Sequence, residues 1–224
     1  MLYVTCHCMK SLITIVSLLF FYSCQTTPRL NTEPLPKGKD WHINLENNLG
    51  SINIILPNYF DTSFKWTQTS DCGDGCSYVD YRVQPRTLPI FEESGFMFFP
   101  LTDSVEQFTV KHSKLNDLWQ PSDTLRQMNL MGKLKGKALK HQSDKFIIDT
   151  FLIIAGRSFP IIGYQTYDSA NKIMMLNLSA LTLLKNNLLE FYFEYRKNYP
   201  DSSSKTFISN SLKYLKTIRI NNGR

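Results

Sequence analysis

Residues 188–195 read LLEFYFEY, and this stretch carries the clearest strand pattern in the chain. Its odd-numbered positions, from Leu189 to Tyr195, are apolar or aromatic, whereas Glu190 and Glu194 occupy alternate positions. Successive side chains of a strand point to opposite faces. The alternation therefore predicts a β-strand with one face against a hydrophobic core and the other toward polar surroundings.

Segments on the N-terminal side of this stretch predict further strands. They alternate, or are apolar between turn residues, at 52–56, 64–67, 79–83, 95–99, 107–111, 158–165 and 173–178. Residues 146–154 are apolar on both faces, which predicts a central strand. The spacing of strands and turn signals favours antiparallel pairing. The composition agrees, because the chain holds 15 Phe and 11 Tyr but only four Ala.

The sequence also predicts two helices. Residues 204–216 follow Asp201 and a cluster of serines that can cap a helix, and their apolar side chains recur on one arc. An earlier helix begins near Asp123, and its continuation is open between a helix that aligns Leu130 with Leu134 and a strand. The predicted fold class is α+β, a mainly antiparallel β-sheet with about two packing helices, one of them near the C-terminus.

The N-terminal segment has the pattern of a secretory signal. Residues 11–23, SLITIVSLLFFYS, carry no charge and follow Lys10. These 13 residues are fewer than the roughly 20 that a membrane-spanning helix needs. A positive start, a short apolar core and a small residue before the cut define a signal peptide. The pair Ser23-Cys24 at its end resembles the lipobox of bacterial lipoproteins.

The lipobox resemblance implies a lipid-anchored protein. Residues 1–23 would be removed as the signal peptide, and Cys24 would become the new N-terminus and carry a lipid anchor that includes fatty acids such as palmitate. A start at Met9 would give the same signal, because Lys10 supplies the positive charge. Gln25, where lipoproteins of the inner membrane tend to have Asp, implies the outer membrane of a two-membrane bacterium, with the protein facing the periplasm.

The rest of the chain predicts a tether followed by one domain. Residues 24–40 contain three prolines and scattered polar residues that cannot bury a core. Residues 41–224 show no internal repeat and predict a single α+β domain. The order of its elements, and a final helix that ends in LKTIRI (215–220), loosely resemble the PsbP-like α/β/α sandwich. That resemblance assigns no functional residue.

The motif DCGDGC at residues 71–76 admits four interpretations. A calcium loop fails, because the alternating positions after Asp71 hold glycines and the twelfth position is Arg82. A disulfide between Cys72 and Cys76 would close a hairpin around Gly73-Asp74-Gly75, and in an oxidising compartment this interpretation leads. A zinc site needs two further ligands at a recognisable spacing, which the sequence does not offer. A redox dithiol is usually C-x-x-C at a helix N-terminus, whereas this motif lies in a predicted turn.

The remaining patterns exclude several classes of function. A net charge of +6 without an aromatic and basic module gives no reason to expect nucleic-acid binding. The sequence contains no nucleophile elbow, phosphate loop or H-E-x-x-H motif, so no catalytic residue, metal ligand or cofactor is assigned.

Two hypotheses about function follow from these exclusions. The first is an envelope lipoprotein, attached to the membrane by its anchor, that binds an envelope protein, an envelope polymer or a hydrophobic ligand and is not an enzyme. The alternative is a periplasmic envelope hydrolase with dispersed active-site residues and His42, His112 or His141 as the base. A buried pocket that gathers one of these histidines with a carboxylate and a serine or cysteine would favour the hydrolase.

Overall fold

The computed structural model describes residues 34–71, 76–88, 104–115, 123–138, 145–169, 172–198 and 201–223. The chain divides into two units, Met1–Pro34 and Leu35–Arg224, and all elements below belong to the second. The predicted signal peptide, Cys24, Cys72, His141 and the predicted strand at 95–99 lie outside the described residues.

Ten strands in the described residues form two antiparallel sheets. The smaller sheet has three strands, in the order β1 (Lys39–Leu45), β2 (Gly50–Leu56) and β10 (Arg219–Asn222). The larger sheet has seven strands, in the order β3 (Thr62–Gln68), β4 (Tyr78–Gln84), β5 (Val105–Lys114), β9 (Asn187–Lys197), β8 (Ile173–Leu184), β7 (Arg157–Asp168) and β6 (Lys145–Ile154).

Two helices accompany these sheets in the described part of the chain, α1 (Asp123–Ala138) and α2 (Ser202–Leu215). α1 is helical throughout, which decides between the two alternatives, and Leu130 and Leu134 share its buried face. α2 begins after Asp201, whose carboxylate accepts a hydrogen bond of 3.0 Å from the backbone N–H of Ser204. This side-chain cap satisfies one of the backbone donors that a helix leaves unpaired at its start.

The seven-stranded sheet lies between two layers. On one face, Phe108, Phe191 and Tyr195 belong to a large core with the three-stranded sheet and α2. On the other face, Ile162 and Leu181 pack with α1 in a smaller core. The α+β class is confirmed, with antiparallel sheets and one helix near the C-terminus. Neither helix in the described residues has the length and apolar character of a membrane-spanning segment.

The prediction of a central strand at 146–154 was wrong. These residues lie in β6, which within the described residues is the last strand of the seven-stranded sheet and pairs only with β7. Ile147, Phe151 and Ile153 are 48%, 46% and 74% exposed. A mostly apolar segment such as this one, which is interrupted by Asp149 and Thr150, is therefore not evidence of burial on both faces, because the segment does not reveal how many strands pair with it.

Candidate functional site

One candidate site is a pocket of about 640 Å³ at one end of the seven-stranded sheet. We call it the end pocket. The β1–β2 turn and the β8–β9 turn form two of its walls, and β3, β4 and β5 contribute residues near their ends. It is lined by Glu46, Asn47, Thr67, Ser77, Tyr78, Val79, His112, Ser113, Lys114, Leu115, Lys185, Asn186 and Asn187.

Left-handed backbone shapes both turns of the end pocket. Asn47 and Asn48 have φ of 58° and 54°, and Lys185 and Asn186 have φ of 46° and 61°. Asparagine is enriched in this region because its short polar side chain hydrogen-bonds locally. The ammonium of Lys185 donates to the backbone carbonyl oxygens of Asn48 (3.0 Å) and Gly223. Lys185 thus ties the β8–β9 turn to the β1–β2 turn.

His112 lies on β5 at the floor of the end pocket and is only 2% exposed. Its Nε2 is 3.4 Å from the hydroxyl of Tyr81, which accepts a hydrogen bond of 2.8 Å from the backbone N–H of Glu46. Burial lowers the pKa of His112, and the charge of Glu46 opposes that shift. The imidazole is therefore neutral at pH 7, and the Tyr81 hydroxyl can donate to Nε2 while Nδ1 carries the proton.

Glu46 supplies the carboxylate of this pocket, but its charge is already matched. The ammonium of Lys65 lies 2.6 Å from Glu46 Oε1, and both side chains are well exposed, at 52% and 38%. The hydrogen bond to Glu46 and its charge raise the pKa of Lys65. A surface pair of this kind contributes little stability, but it leaves the pocket without an isolated negative charge.

The end pocket contains the residue types that the hydrolase hypothesis requires. His112, Glu46, Ser77 and Ser113 all line it. His112 nevertheless has no hydrogen bond to either serine in the described part of the chain, and the Ser77 hydroxyl accepts a hydrogen bond from the backbone N–H of Ser70 (3.3 Å). Among the described residues the imidazole contacts the Tyr81 hydroxyl, whereas activation of a serine nucleophile requires a base within hydrogen-bond reach of its hydroxyl.

His42 does not contribute to this pocket. It lies exposed on β1, with Nδ1 2.9 Å from Asn53 Oδ1 and Nε2 2.9 Å from Asn44 Oδ1. The structure therefore places His42 and His112 apart, and of these two histidines His112 is the one that lies beside a carboxylate and serines.

The remaining predicted sites concern cysteines and metals. Cys76 is disulfide-bonded, but Cys72 lies outside the described residues, so the Cys72–Cys76 pairing stays a prediction, as does lipidation of Cys24. Among the described residues, no group of three or more His, Cys, Asp and Glu side chains is arranged to hold a metal ion.

Sequence analysis missed a strip of buried polar residues on the α1-side face of the seven-stranded sheet. Asp80 and Arg82 of β4 are each 1% exposed. Lys111 of β5 lies 3.8 Å from Asp80, and the Arg82 guanidinium lies 4.7 Å from the centre of the Trp66 ring. The alternation at 79–83 places Asp80 and Arg82 on the same face of β4. The alternation could not reveal that opposite charges meet across neighbouring strands. The sequence of one strand does not show which residues of the next strand lie opposite it.

Comparisons with known proteins give distant structural matches only. No protein-family model matches the chain, and no curated protein matches it. The solution structure of cyanobacterial PsbP from Synechocystis matches with a TM-score of 0.46 and 11% identity, over 84% of this chain and 95% of that chain. The crystal structure of LpqN, described as involved in cell envelope biogenesis of Mycobacterium tuberculosis, matches with a TM-score of 0.42 and 10% identity, over 82% and 91%. Similarities of this size do not establish a shared family or function.

Proposed function

We propose that this chain is a lipid-anchored binding protein of a bacterial cell envelope, and that its end pocket binds a hydroxyl-rich segment of an envelope polymer. The observation that carries the proposal is the lining of the end pocket, which is dominated by side chains that both donate and accept hydrogen bonds. Its volume of about 640 Å³ lies within the usual range for ligand pockets.

The chemistry of the lining matches a sugar better than an apolar ligand. Asn47, Asn186 and Asn187 each present an amide that donates and accepts, and Thr67 and Ser113 add hydroxyl groups. The hydroxyl groups of a sugar likewise donate and accept. A ligand of this type would satisfy the polar groups that an apolar ligand would leave without partners when water is displaced.

The charges around the end pocket favour an uncharged ligand. The ammonium of Lys185 already donates to backbone carbonyl oxygens, and the carboxylate of Glu46 is paired with Lys65. His112 is neutral and buried. Lys114, which also lines the pocket, is not without a partner either. Binding an uncharged glycan therefore requires no unpaired charge to be buried, which would be costly.

The lipobox-like sequence supports the location. A lipid on Cys24 would attach the domain through residues 25–40 to the outer membrane on the periplasmic side, where envelope polymers are within reach. Mass spectrometry of membrane-extracted protein should find an N-terminus at acylated Cys24, and Cys24→Ala should prevent membrane retention or processing. An intact 1–224 chain in the cytosol would contradict the predicted lipidation of Cys24. It would not test glycan binding, which the calorimetry below measures independently.

The binding proposal is tested by titration calorimetry of the full chain with tri-N-acetylglucosamine, a soluble sugar rich in hydroxyl and amide groups. Thr67→Val and Ser113→Ala each remove one hydroxyl from the end pocket, and each should weaken binding by about twofold to tenfold. Ser209→Ala, which removes an exposed hydroxyl on α2, is the matched control and should not change affinity. Absence of binding at millimolar sugar would contradict this ligand class.

The hydrolase is a second candidate, favoured by the common location of His112, Glu46 and two serines in one pocket. It predicts release of acetate from an O-acetylated glycan, with activity lost in Ser77→Ala or Ser113→Ala and in His112→Gln. Turnover by the wild-type chain that these variants lack would replace the binding role by a catalytic one. Sugar binding without turnover would favour the first proposal.

A further inference from the structure

A second cavity, of about 140 Å³, lies between α2 and the loop that joins β2 to β3. We call it the helix pocket. Five aromatic rings line it, together with one carboxylate: Tyr59, Phe60, Phe193, Phe207, Tyr214 and Glu106. Phe60, Phe193 and Phe207 are buried, whereas Tyr59 is 53% exposed. The helix pocket shares no lining residue with the end pocket.

The carboxylate of Glu106 has no cationic partner within ion-pair distance in the described part of the chain. Its Oε1 accepts a hydrogen bond of 2.6 Å from the hydroxyl of Tyr59. The nearby cation, Lys197, instead pairs with Asp201, at 2.7 Å. The helix pocket therefore contains a partly buried negative charge that a cationic ligand could match.

The same region already holds a cation against an aromatic ring. The ammonium of Lys197 lies 5.3 Å from the centre of the Tyr195 ring, and that ring packs at 5.3 Å against Phe207, which lines the cavity. The face of an aromatic ring carries partial negative charge and attracts cations within about 6 Å. A cavity walled by such rings and one carboxylate is thus chemically suited to a positively charged group.

The lining distinguishes between kinds of cation. A primary ammonium has three N–H donors, each of which needs an acceptor. The polar side chains of the lining are Glu106, Ser203, Thr206, Asn210 and Ser211. Its other six residues are aromatic or proline and offer no side-chain oxygen other than the tyrosine hydroxyls. A trimethylammonium group has no N–H donor, is less costly to desolvate and presents methyl groups to the rings. We propose that the helix pocket binds a quaternary ammonium group of the choline type, with the rings as its cage and Glu106 as its counter-charge.

The protonation of Glu106 should control this binding. Burial raises the pKa of Glu106, while the Tyr59 hydrogen bond and the charge of Lys197 lower it. The titratable groups that face it are Tyr59 of the loop, Tyr195 and Lys197 of β9, and Asp201 and Tyr214 at α2. Choline keeps its charge at every pH, so its affinity should fall as the pH drops through the pKa of Glu106, since the carboxyl loses its charge.

The test is titration calorimetry of the full chain, held in a maltoside detergent, with choline and with 3,3-dimethyl-1-butanol. The alcohol has the shape of choline but no charge. Choline should bind at least tenfold more tightly than the alcohol. Equal affinities would show an apolar cavity without cation recognition, and no heat from choline at tens of millimolar would also overturn the proposal.

Variants on two different elements locate the site. Tyr214→Leu on α2 removes one ring and should weaken choline binding by about twofold to thirtyfold. Glu106→Gln on β5 removes the counter-charge and should weaken binding at least tenfold and abolish its pH dependence. Tyr167→Leu, an exposed tyrosine on β7, and Glu46→Gln in the end pocket are the matched controls. Unchanged choline binding in folded Glu106→Gln protein would overturn the assignment.

Two sources of this group are distinguished by a third ligand, glycerophosphocholine, which carries the headgroup of phosphatidylcholine. Binding of choline and glycerophosphocholine alike would identify a lipid headgroup as an acceptable source. Binding of choline alone would identify a free solute, because the added phosphate would then be excluded. Both results support a quaternary ammonium site, and binding of neither contradicts it.

Discussion

The two pockets lie at opposite ends of one strand, and the comparison shows how burial acts on an acid and on a base. Glu106 near the start of β5 lines the helix pocket, and His112 near its end lines the end pocket. They share a face of the strand, six residues and about 20 Å apart. Burial raises the pKa of Glu106 and lowers the pKa of His112, because in both cases it disfavours the charged form.

The partners of these two groups explain their different roles. His112 is neutral and faces the Tyr81 hydroxyl, so the end pocket is complete without a charged ligand. Glu106 has a tyrosine hydroxyl but no paired cation in the described residues, so the helix pocket gains from one. The walls differ as well, since backbone turns shape the end pocket whereas the packing of α2 shapes the helix pocket.

The largest expected effect is on the helix pocket. Phe207→Ala removes a ring that is 8% exposed and packs against Tyr195, and should lower the free energy of unfolding by about 3–5 kcal/mol. Urea denaturation measures this loss, and choline binding should disappear. Phe151→Ala, on the exposed side of β6, should lower the free energy of unfolding much less. Equal losses in the two variants would contradict the packing role of Phe207.

A smaller effect is expected at the turns of the end pocket. Asn186 has φ of 61°, so Asn186→Ala places a residue without a local hydrogen-bonding side chain in the left-handed region, at a cost of about 1–2 kcal/mol. Asn186→Gly should be tolerated much better, because glycine adopts this conformation freely. Urea midpoints of both variants check this expectation. Sugar binding should weaken in Asn186→Ala while choline binding stays unchanged. The opposite pattern would contradict the assignment of Asn186 to the end pocket alone.

The Asp201 cap of α2 should contribute about 1 kcal/mol to the free energy of unfolding, and Asp201→Ala should remove this contribution. Hydrogen bonds from Lys197 and Tyr195 lower the pKa of Asp201 to about 2 from its ordinary 3.8. A carboxyl with a lowered pKa stabilises the fold above its ordinary value, and this stabilisation is lost as pH falls from 3.8 toward 2. Unfolding free energies between pH 5 and 2 should show this loss in the wild type and a smaller one in Asp201→Ala. Asp201→Asn, which can still cap the helix, is the control.

The smallest expected effects concern how the free energy of unfolding depends on pH. His112 and Glu106 should change it in opposite directions. The lowered pKa of His112 means that the unfolded chain binds its proton more readily, so stability should fall as pH drops below 6.5. The raised pKa of Glu106 acts in the opposite direction, and stability should fall as pH rises above 4.5. Urea midpoints of His112→Gln should lack the first slope and those of Glu106→Gln the second. His42→Gln, at an exposed histidine, should retain both.

Much of the fold was predictable because the signals are local. The alternation in 188–195 identified the two faces of β9, and the serines after Asp201 identified the start of α2. The extent of α1 and the edge position of β6 were not predictable. Both depend on which elements pack or pair beside a segment, and its own side chains do not record this.

The two pockets were less predictable than the fold. Histidine, carboxylate and serine were expected to define a site if they met, but Glu46 and His112 meet only because β1, β4 and β5 bring them to one end of the sheet. The helix pocket gave no sequence signal, since Tyr59, Glu106 and Tyr214 are dispersed along the chain. Chain distance contains no information about such contacts, which long-range strand pairing and helix docking create.

The sequence by itself determined the α+β class, the face of β9 that is apolar and the residue types available for binding, because side-chain alternation and helix capping act over a few neighbouring residues. Tertiary structure alone decided that Glu106 and His112 would be buried at opposite ends of β5, and what each would face. Burial and partners determine the protonation of a side chain. For that reason, the same strand holds a neutral imidazole in one pocket and, in the other, a carboxylate with no ion-pair partner among the described residues.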